Sequence, residues 1–278
     1  MIKQKFGGEW TVEKLDILSK YLSAYSIALK NFSFSKIYID AFAGTGKIIV
    51  DETEEEITGS VRLSLNSENK FDEYIFIEKK KSFAEELQYI VNNEYAELSN
   101  QISIIHGDWN NKLIEICKTI DWNNNRAVLF LDPYATEVKW ETLKAVAATE
   151  AIDLWYLFPF SATQRMLKKD GMIDEKWKLK LNSLFGDDGW FDRFYAPNDQ
   201  INFFGNDTMI KNVNKEGLSS YIKERLNTIF PVVAKNPRLL YNTMNSPLFL
   251  FCFAIANKNK GAQKLALRIA EHILKEEE

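Results

Sequence analysis

The sequence predicts a doubly wound, Rossmann-like α/β fold: a mostly parallel sheet that ends in an antiparallel hairpin and carries a helical insertion. Three observations predict it. Strand-length apolar runs alternate with amphipathic helical stretches over residues 36–158, the mark of βαβ units and of a parallel sheet covered on both faces. Then "RLLYNTMNSPLFLFCFAIAN" offers two apolar runs split by Asn245, Ser246 and Pro247, which reads as a hairpin. Between these two regions, from Ser161 to about Leu218, the alternation stops and aromatics and lysines mix without a strand period.

Each element can be justified in turn. "EKLDILSKYLSAYSIAL" sets Leu15, Leu18, Leu22, Tyr25 and Leu29 at helical spacing, so an amphipathic helix opens the chain. "KIYIDAF" is the first buried strand, and "GSVRLSLNS" a short helix. "EYIFIE" is strand-like; the following helix carries Phe83, Leu87 and Val91 on one face. "ISIIHGD" and "AVLFLDPY" are strands, each followed by a helix, and "AIDLWYLFPF" is the fifth strand. After the mainly helical insertion at about 161–218, "GLSSYIKERLNTIF" resumes a helix. A last helix shows Leu265, Ile269 and Ile273 on one face. All 278 residues are read as one domain with that insertion.

Composition narrows the function classes. An apolar fraction of 46% and a charged fraction of 27% are those of an ordinary globular protein. No signal-peptide pattern is present, and the longest apolar run, from Pro247, is half a membrane span. No membrane role is therefore expected. Cys117 and Cys252 are far apart and only two histidines exist, so no Cys-rich metal site is expected; this cysteine usage fits a reducing cytoplasm. A net charge of −4 excludes a bulk polyanion binder and leaves nucleic acid only a local basic patch.

In a doubly wound sheet, ligands bind beyond the C-terminal ends of the strands. Four successive strands end on a carboxylate: Asp40, Glu78, Asp108 and Asp132. The first is followed by "AFAGTG", where Gly44 and Gly46 let the backbone approach a ligand closely. Glu78 suits the paired hydroxyls of a ribose. Asp108 can accept from an exocyclic amine; alone, Gly107-Asp108 reads as a turn, and its place in the series gives it the functional reading. Two other nucleotide motifs fail on spacing. A dinucleotide fingerprint needs glycine where Ile49 stands, and a P-loop needs glycine at Ala41 and Ser or Thr at Ile48.

Five parallel strands closed by a hairpin are the element order of a class I methyltransferase. "YIDAFAGTG", "GDWN" and "LFLDPY" resemble motifs of S-adenosylmethionine-dependent methyltransferases, with "DAFAGTG" and "DPY" closest to those that methylate exocyclic amines of nucleobases. More narrowly, "EKLDILSKYLSAY", "YIDAFAGTG", "LDPY", "IDLWYLFP" and "LFGDDGW" resemble the three-Cys-motif partner protein family, over most of the chain from about Trp10. That resemblance implies S-adenosylmethionine as cofactor and a companion protein bearing three cysteines. It places Asp40, Phe42, Ala43, Gly44 and Gly46 in the cofactor loop, with Glu78 on the ribose. Asp108 would meet the adenine amine, and Trp109 would lie beside the ring. Asp132, Pro133 and Tyr134 match the start of the Asp-Pro-Pro-aromatic tetrad. The second proline is missing, so Tyr134 stands in its place and Ala135 where the aromatic belongs.

The remaining candidates have plainer readings. Lys14 can reach a cofactor carboxylate from the first helix, but is expected on a solvated face. His106 reads as a strand residue, Cys252 as core, and Trp155 and Trp190 as packing. The acidic run after Lys47 reads as solvated surface. Within residues 161–181, Arg165, Lys168, Lys169, Lys176, Lys178 and Lys180 face only Asp170, Asp174 and Glu175, leaving a charge of +3. Two readings stay open for this stretch: a nucleic-acid contact, with its lysines tracking phosphates and Trp177 stacking on a base, or the solvated face of a Lys-rich amphipathic helix.

Overall fold

The computed structural model describes residues 8–45, 47–49, 56–197 and 209–275. Helix α1 (Glu9–Ala28) precedes β1 (Ser35–Asp40). Then α2 (Ser60–Asn66), β2 (Glu73–Glu78), α3 (Lys81–Glu94), β3 (Ile102–His106) and α4 (Trp109–Thr119) follow. Next come β4 (Asn125–Leu131), α5 (Trp140–Ala148), β5 (Ile152–Phe158) and α6 (Phe160–Met166). The chain continues through α7 (Glu175–Phe185), α8 (Trp190–Phe194), α9 (Lys215–Asn227), β6 (Val232–Val233), β7 (Arg238–Tyr241), β8 (Pro247–Ile255) and α10 (Lys260–Lys275).

The sheet runs β6-β8-β5-β4-β1-β2-β3, with β7 also paired to β8. Pairings among β1 to β5 are parallel, and β8 is antiparallel to β5, β6 and β7. The expected hairpin is therefore present, and its second strand sits against the parallel sheet. Strand β6 is an addition that a two-residue run could not signal.

Both faces of the sheet are covered, which is why its strands read as continuous apolar runs. In β1, Ile37 and Ile39 join the core under α4, α5, α7 and α9, while Tyr38 points into the core under α1, α3 and α10. The strand stays apolar until its last residue, Asp40, which is itself fully buried. Because β1 to β4 run parallel, their C-terminal ends lie along one edge.

The segment after β5 holds α6, α7 and α8, as its mainly helical reading expects. It also holds a short antiparallel pair, Tyr195–Pro197 with Met209–Lys211, which the sequence had no alternation to announce. Helix α7 ends on Gly186 at φ +86°, where an added Cβ would meet the Trp140 ring at 2.1 Å. Only glycine allows that close approach. Trp155 and Trp190 are packing residues as expected; the Trp190 indole donates to Asn182 at 2.7 Å. Cys252 is buried in the core.

Candidate active site

The site grows from the end of β1. Asp40 accepts from the Phe42 amide at 3.0 Å through Oδ1 and from the Ser60 hydroxyl at 2.5 Å through Oδ2. The carboxyl thus ties the loop to the first residue of α2. Burial raises its pKa from 3.8 to about 7, against the lowering effect of those two hydrogen bonds; the neighbouring Asp132 raises it further and Lys14 lowers it.

The glycine loop is built on Glu78. Its Oε2 accepts from the Gly44 amide at 2.9 Å and its Oε1 from the Lys80 amide at 2.7 Å. The Ala43 amide donates to the Ile77 carbonyl at 3.2 Å. Gly44 itself has φ +60°, a left-handed conformation that a β-branched residue resists. Glu78 therefore shapes the loop with one lone pair of each oxygen, and each oxygen retains a second for a ligand hydroxyl. Gly46 and residues 50–55, which hold all of the acidic run but Glu56, lie outside the described residues; Glu56–Thr58 form a short strand antiparallel to Lys47–Ile49.

Asp108 caps α4, accepting the Asn111 amide at 3.2 Å through Oδ1, with Lys79 4.0 Å from Oδ2. Its side chain is 37% exposed, so the cap leaves Oδ2 open to solvent. The turn reading thus holds for Oδ1, which caps the helix. Trp109 packs against Phe42 at 4.5 Å between ring centroids, and the Lys79 ammonium lies 4.8 Å from its centroid. Its buried indole nitrogen has no hydrogen-bond partner. His106 ends β3 and meets the Lys79 carbonyl at 3.1 Å, a strand-end contact as expected.

Asp132 follows β4, which neighbours β1 with Asp40 opposite Phe130. Here the structure corrects the sequence reading. Lys14, expected on a solvated face, is 3% exposed and donates to Asp132 Oδ2. The ammonium also lies 4.5 Å from the Trp10 ring centroid. An isolated buried ammonium is costly, so the lysine enters the core only because Asp132 waits there. Helical spacing could not reveal this, since the partner lies on another element. Pro133 is buried, whereas Tyr134 is 51% exposed. Thr136, four residues past Asp132, contacts the Met166 sulfur at 3.8 Å. That contact sets α6, and so the start of the insertion, against this loop.

The fold brings together Asp40, Phe42, Ala43, Gly44, Glu78, Asp132 and Pro133. Ser60 and Lys14 were missed as members of the group. Ser60 carried a weak signal, as the first residue of a helix that begins beside a glycine.

No family model and no curated protein matches the chain. Among solved structures, it is similar to protein LPL1258 from Legionella pneumophila, a crystal structure assigned to the family model DUF519. The TM-score is 0.50 at 12% identity, over 93% of this chain and 90% of that one. Spermidine synthase from Thermotoga maritima gives a TM-score of 0.43 at 12% identity, over 90% of this chain and 61% of that one. The methyltransferase domain of bacterial CtHen1-C gives 0.41 at 10% identity, over 86% and 98%. With the strand order above, the chain has a Rossmann-like α/β fold, a mostly parallel sheet closed by an antiparallel strand.

Proposed function

We propose that this protein is an S-adenosylmethionine-dependent methyltransferase that acts on an amino nitrogen, with a nucleobase as the acceptor class. The observation that carries this reading is the Gly44–Glu78 hydrogen bond, which sets a glycine loop and an acid side by side on the edge where Asp132 and Pro133 emerge. The residues fit the cofactor. Glu78 keeps acceptor capacity for ribose hydroxyls, Asp108 Oδ2 is open to an amine, and the loop has no Cβ at Gly44 to block approach.

When bound, S-adenosylmethionine supplies an electrophilic methyl group and leaves as S-adenosylhomocysteine. The protein's part is to position the acceptor. Asp132 Oδ1 accepts a hydrogen bond from the target amine and aims its lone pair, while Lys14 on Oδ2 fixes the carboxylate's rotamer. The Pro133 carbonyl takes the second N–H. The amine proton becomes acidic as the N–C bond forms and passes to water at the exposed side of Asp132, so no strong base is needed. Lys168, Lys169 and their neighbours, on the insertion that starts beside Asp132, supply contacts to a phosphate backbone. The decisive experiment incubates nucleic-acid pools with the protein and labelled cofactor, then identifies methylated nucleosides by mass spectrometry. Label in protein instead would move the acceptor to that class.

A second reading is a cofactor-binding protein without transfer, working through a three-cysteine-motif partner in the cytoplasm. Two observations favour it: Asp132 is already held by Lys14, and Tyr134 is turned substantially to solvent in place of the missing proline. Cofactor binding without turnover on any nucleic-acid or protein pool would select it.

A further inference from the structure

A cavity of about 500 Å³ opens at the other edge of the sheet, where β4 and β5 begin. Its walls are the inner faces of α1 and α10 and the turn before β1. Tyr21, Tyr25, Phe32 and Phe34 give it flat aromatic surfaces, and Leu265 and Ile269 an aliphatic one. The last two belong to the apolar face that the sequence assigned to the closing helix.

Its charged groups are Asp153 and Arg126, opposite in sign, beside the neutral Asn257 and Asn259. Asp153, 7% exposed, accepts from the Tyr21 hydroxyl at 2.7 Å through Oδ2, and among the described residues no donor reaches Oδ1. Arg126 uses Nη1 for the Trp122 and Asn125 carbonyls, each at 2.6 Å, and its guanidinium carbon lies 3.9 Å from the Phe34 ring centroid. Both residues line the cavity, yet they form no direct ion pair. A carboxylate this buried is normally paired, and a cavity of this size with few convergent polar groups is the usual form of a small-molecule site.

We propose that this cavity is a second ligand site, for a planar nitrogen heterocycle whose edge offers an N–H donor to Asp153 and an acceptor to Arg126. The aromatic walls select a flat ring over a branched chain. The Asp153 carboxylate opposes an acidic ligand such as a fatty acid. The site lies on the sheet edge opposite Glu78 and Asp132, so its occupation is independent of the cofactor edge.

The full chain tests this with 7-azaindole, a flat bicycle carrying one donor beside one acceptor. Saturation-transfer NMR and calorimetry should show binding at millimolar concentration, unchanged by saturating S-adenosylhomocysteine. Indole, which lacks the acceptor, should bind roughly tenfold more weakly, as should 7-azaindole to Asp153→Asn or Arg126→Met. Ala262→Phe, at a half-buried lining position, should block the cavity without touching either polar group, and it decides the matter if Asp153→Asn does not fold. Absence of binding, equal binding of indole, competition by S-adenosylhomocysteine, or full affinity in Ala262→Phe would each overturn the proposal.

Discussion

Lys14 on α1 donates to the carboxylate of Asp132, 118 positions later in the chain. The contact closes the first helix over the candidate active edge and gives a buried ammonium its counter-charge. Asp132 retains 22% side-chain exposure, so one face of its carboxylate still meets solvent. The pair is thus a structural clasp that leaves part of the Asp132 carboxylate accessible.

Breaking that clasp from one side should be costly. Lys14→Met leaves Asp132 uncompensated, and urea unfolding should show a loss of about 3 kcal/mol, the lower end for a buried pair because Asp132 is partly solvated. Replacing both, Lys14→Met with Asp132→Leu, should recover much of that loss. A cost for Lys14→Met below about 1 kcal/mol would class the pair with surface ion pairs.

Gly44→Val should remove cofactor binding. Valine at φ +60° is strained by about 1–2 kcal/mol, and its branched side chain fills the space the loop leaves for a ligand. Titration calorimetry with S-adenosylhomocysteine should show no heat from the variant while the wild type binds. Equal affinities would sink the assignment of this loop.

Asp132→Ala should separate binding from transfer. If Asp132 holds the acceptor amine, S-adenosylhomocysteine affinity should persist while methyl transfer falls by about 100-fold or more. Parallel loss of both would put Asp132 in the cofactor site.

Stability should fall as pH rises through the acid range, from Asp40 and Asp153 together. Burial raises each carboxyl from 3.8 to about 7. Between those values the folded state keeps protons that the unfolded chain releases, so the contribution is full below 3.8 and is lost as pH approaches 7. Asp40→Asn mimics the neutral acid. It should match the wild type near pH 4 and become progressively more stable than it towards pH 8, as read from urea midpoints. A difference that does not change with pH would mean that Asp40 ionises in the fold as it does in the unfolded chain. A wild-type advantage that grows with pH would mean that the fold favours the carboxylate; either overturns the assignment.

Charge reversal of Lys168, Lys169, Lys176 and Lys178 to Glu should weaken nucleic-acid binding and leave S-adenosylhomocysteine affinity intact. Lys168, Lys169 and Lys176 are exposed, and Lys178 is shared with Glu175 at 3.0 Å. Wild-type affinity should fall by nearly one log unit per log salt for each phosphate contact. Trp177 is partly buried against the core with Lys168 5.7 Å from its ring centroid, so its Ala variant tests packing more than stacking. No binding at low salt would turn the acceptor search to proteins and small molecules.

By itself, the sequence determined the sheet and the edge at which its parallel strands end. Apolar runs bounded by acids mark where parallel strands stop, because a strand buried on both faces has little room for a carboxylate between its ends. Asp40, Glu78, Asp108 and Asp132 were legible for that reason, and so was the closing hairpin at Asn245–Pro247. Tertiary structure alone decided what those acids touch. Lys14 reads as a surface lysine until α1 folds across β4 and supplies Asp132, and Ser60 is one serine among many until α2 starts beside Asp40. Asp153 and Arg126 are single charges in two apolar strands, and the cavity between them exists only once α1 and α10 pack on the same face. Local pattern records burial, which is a property of one residue and its period. Pairing is a property of two residues distant in sequence, and only the folded chain brings them together.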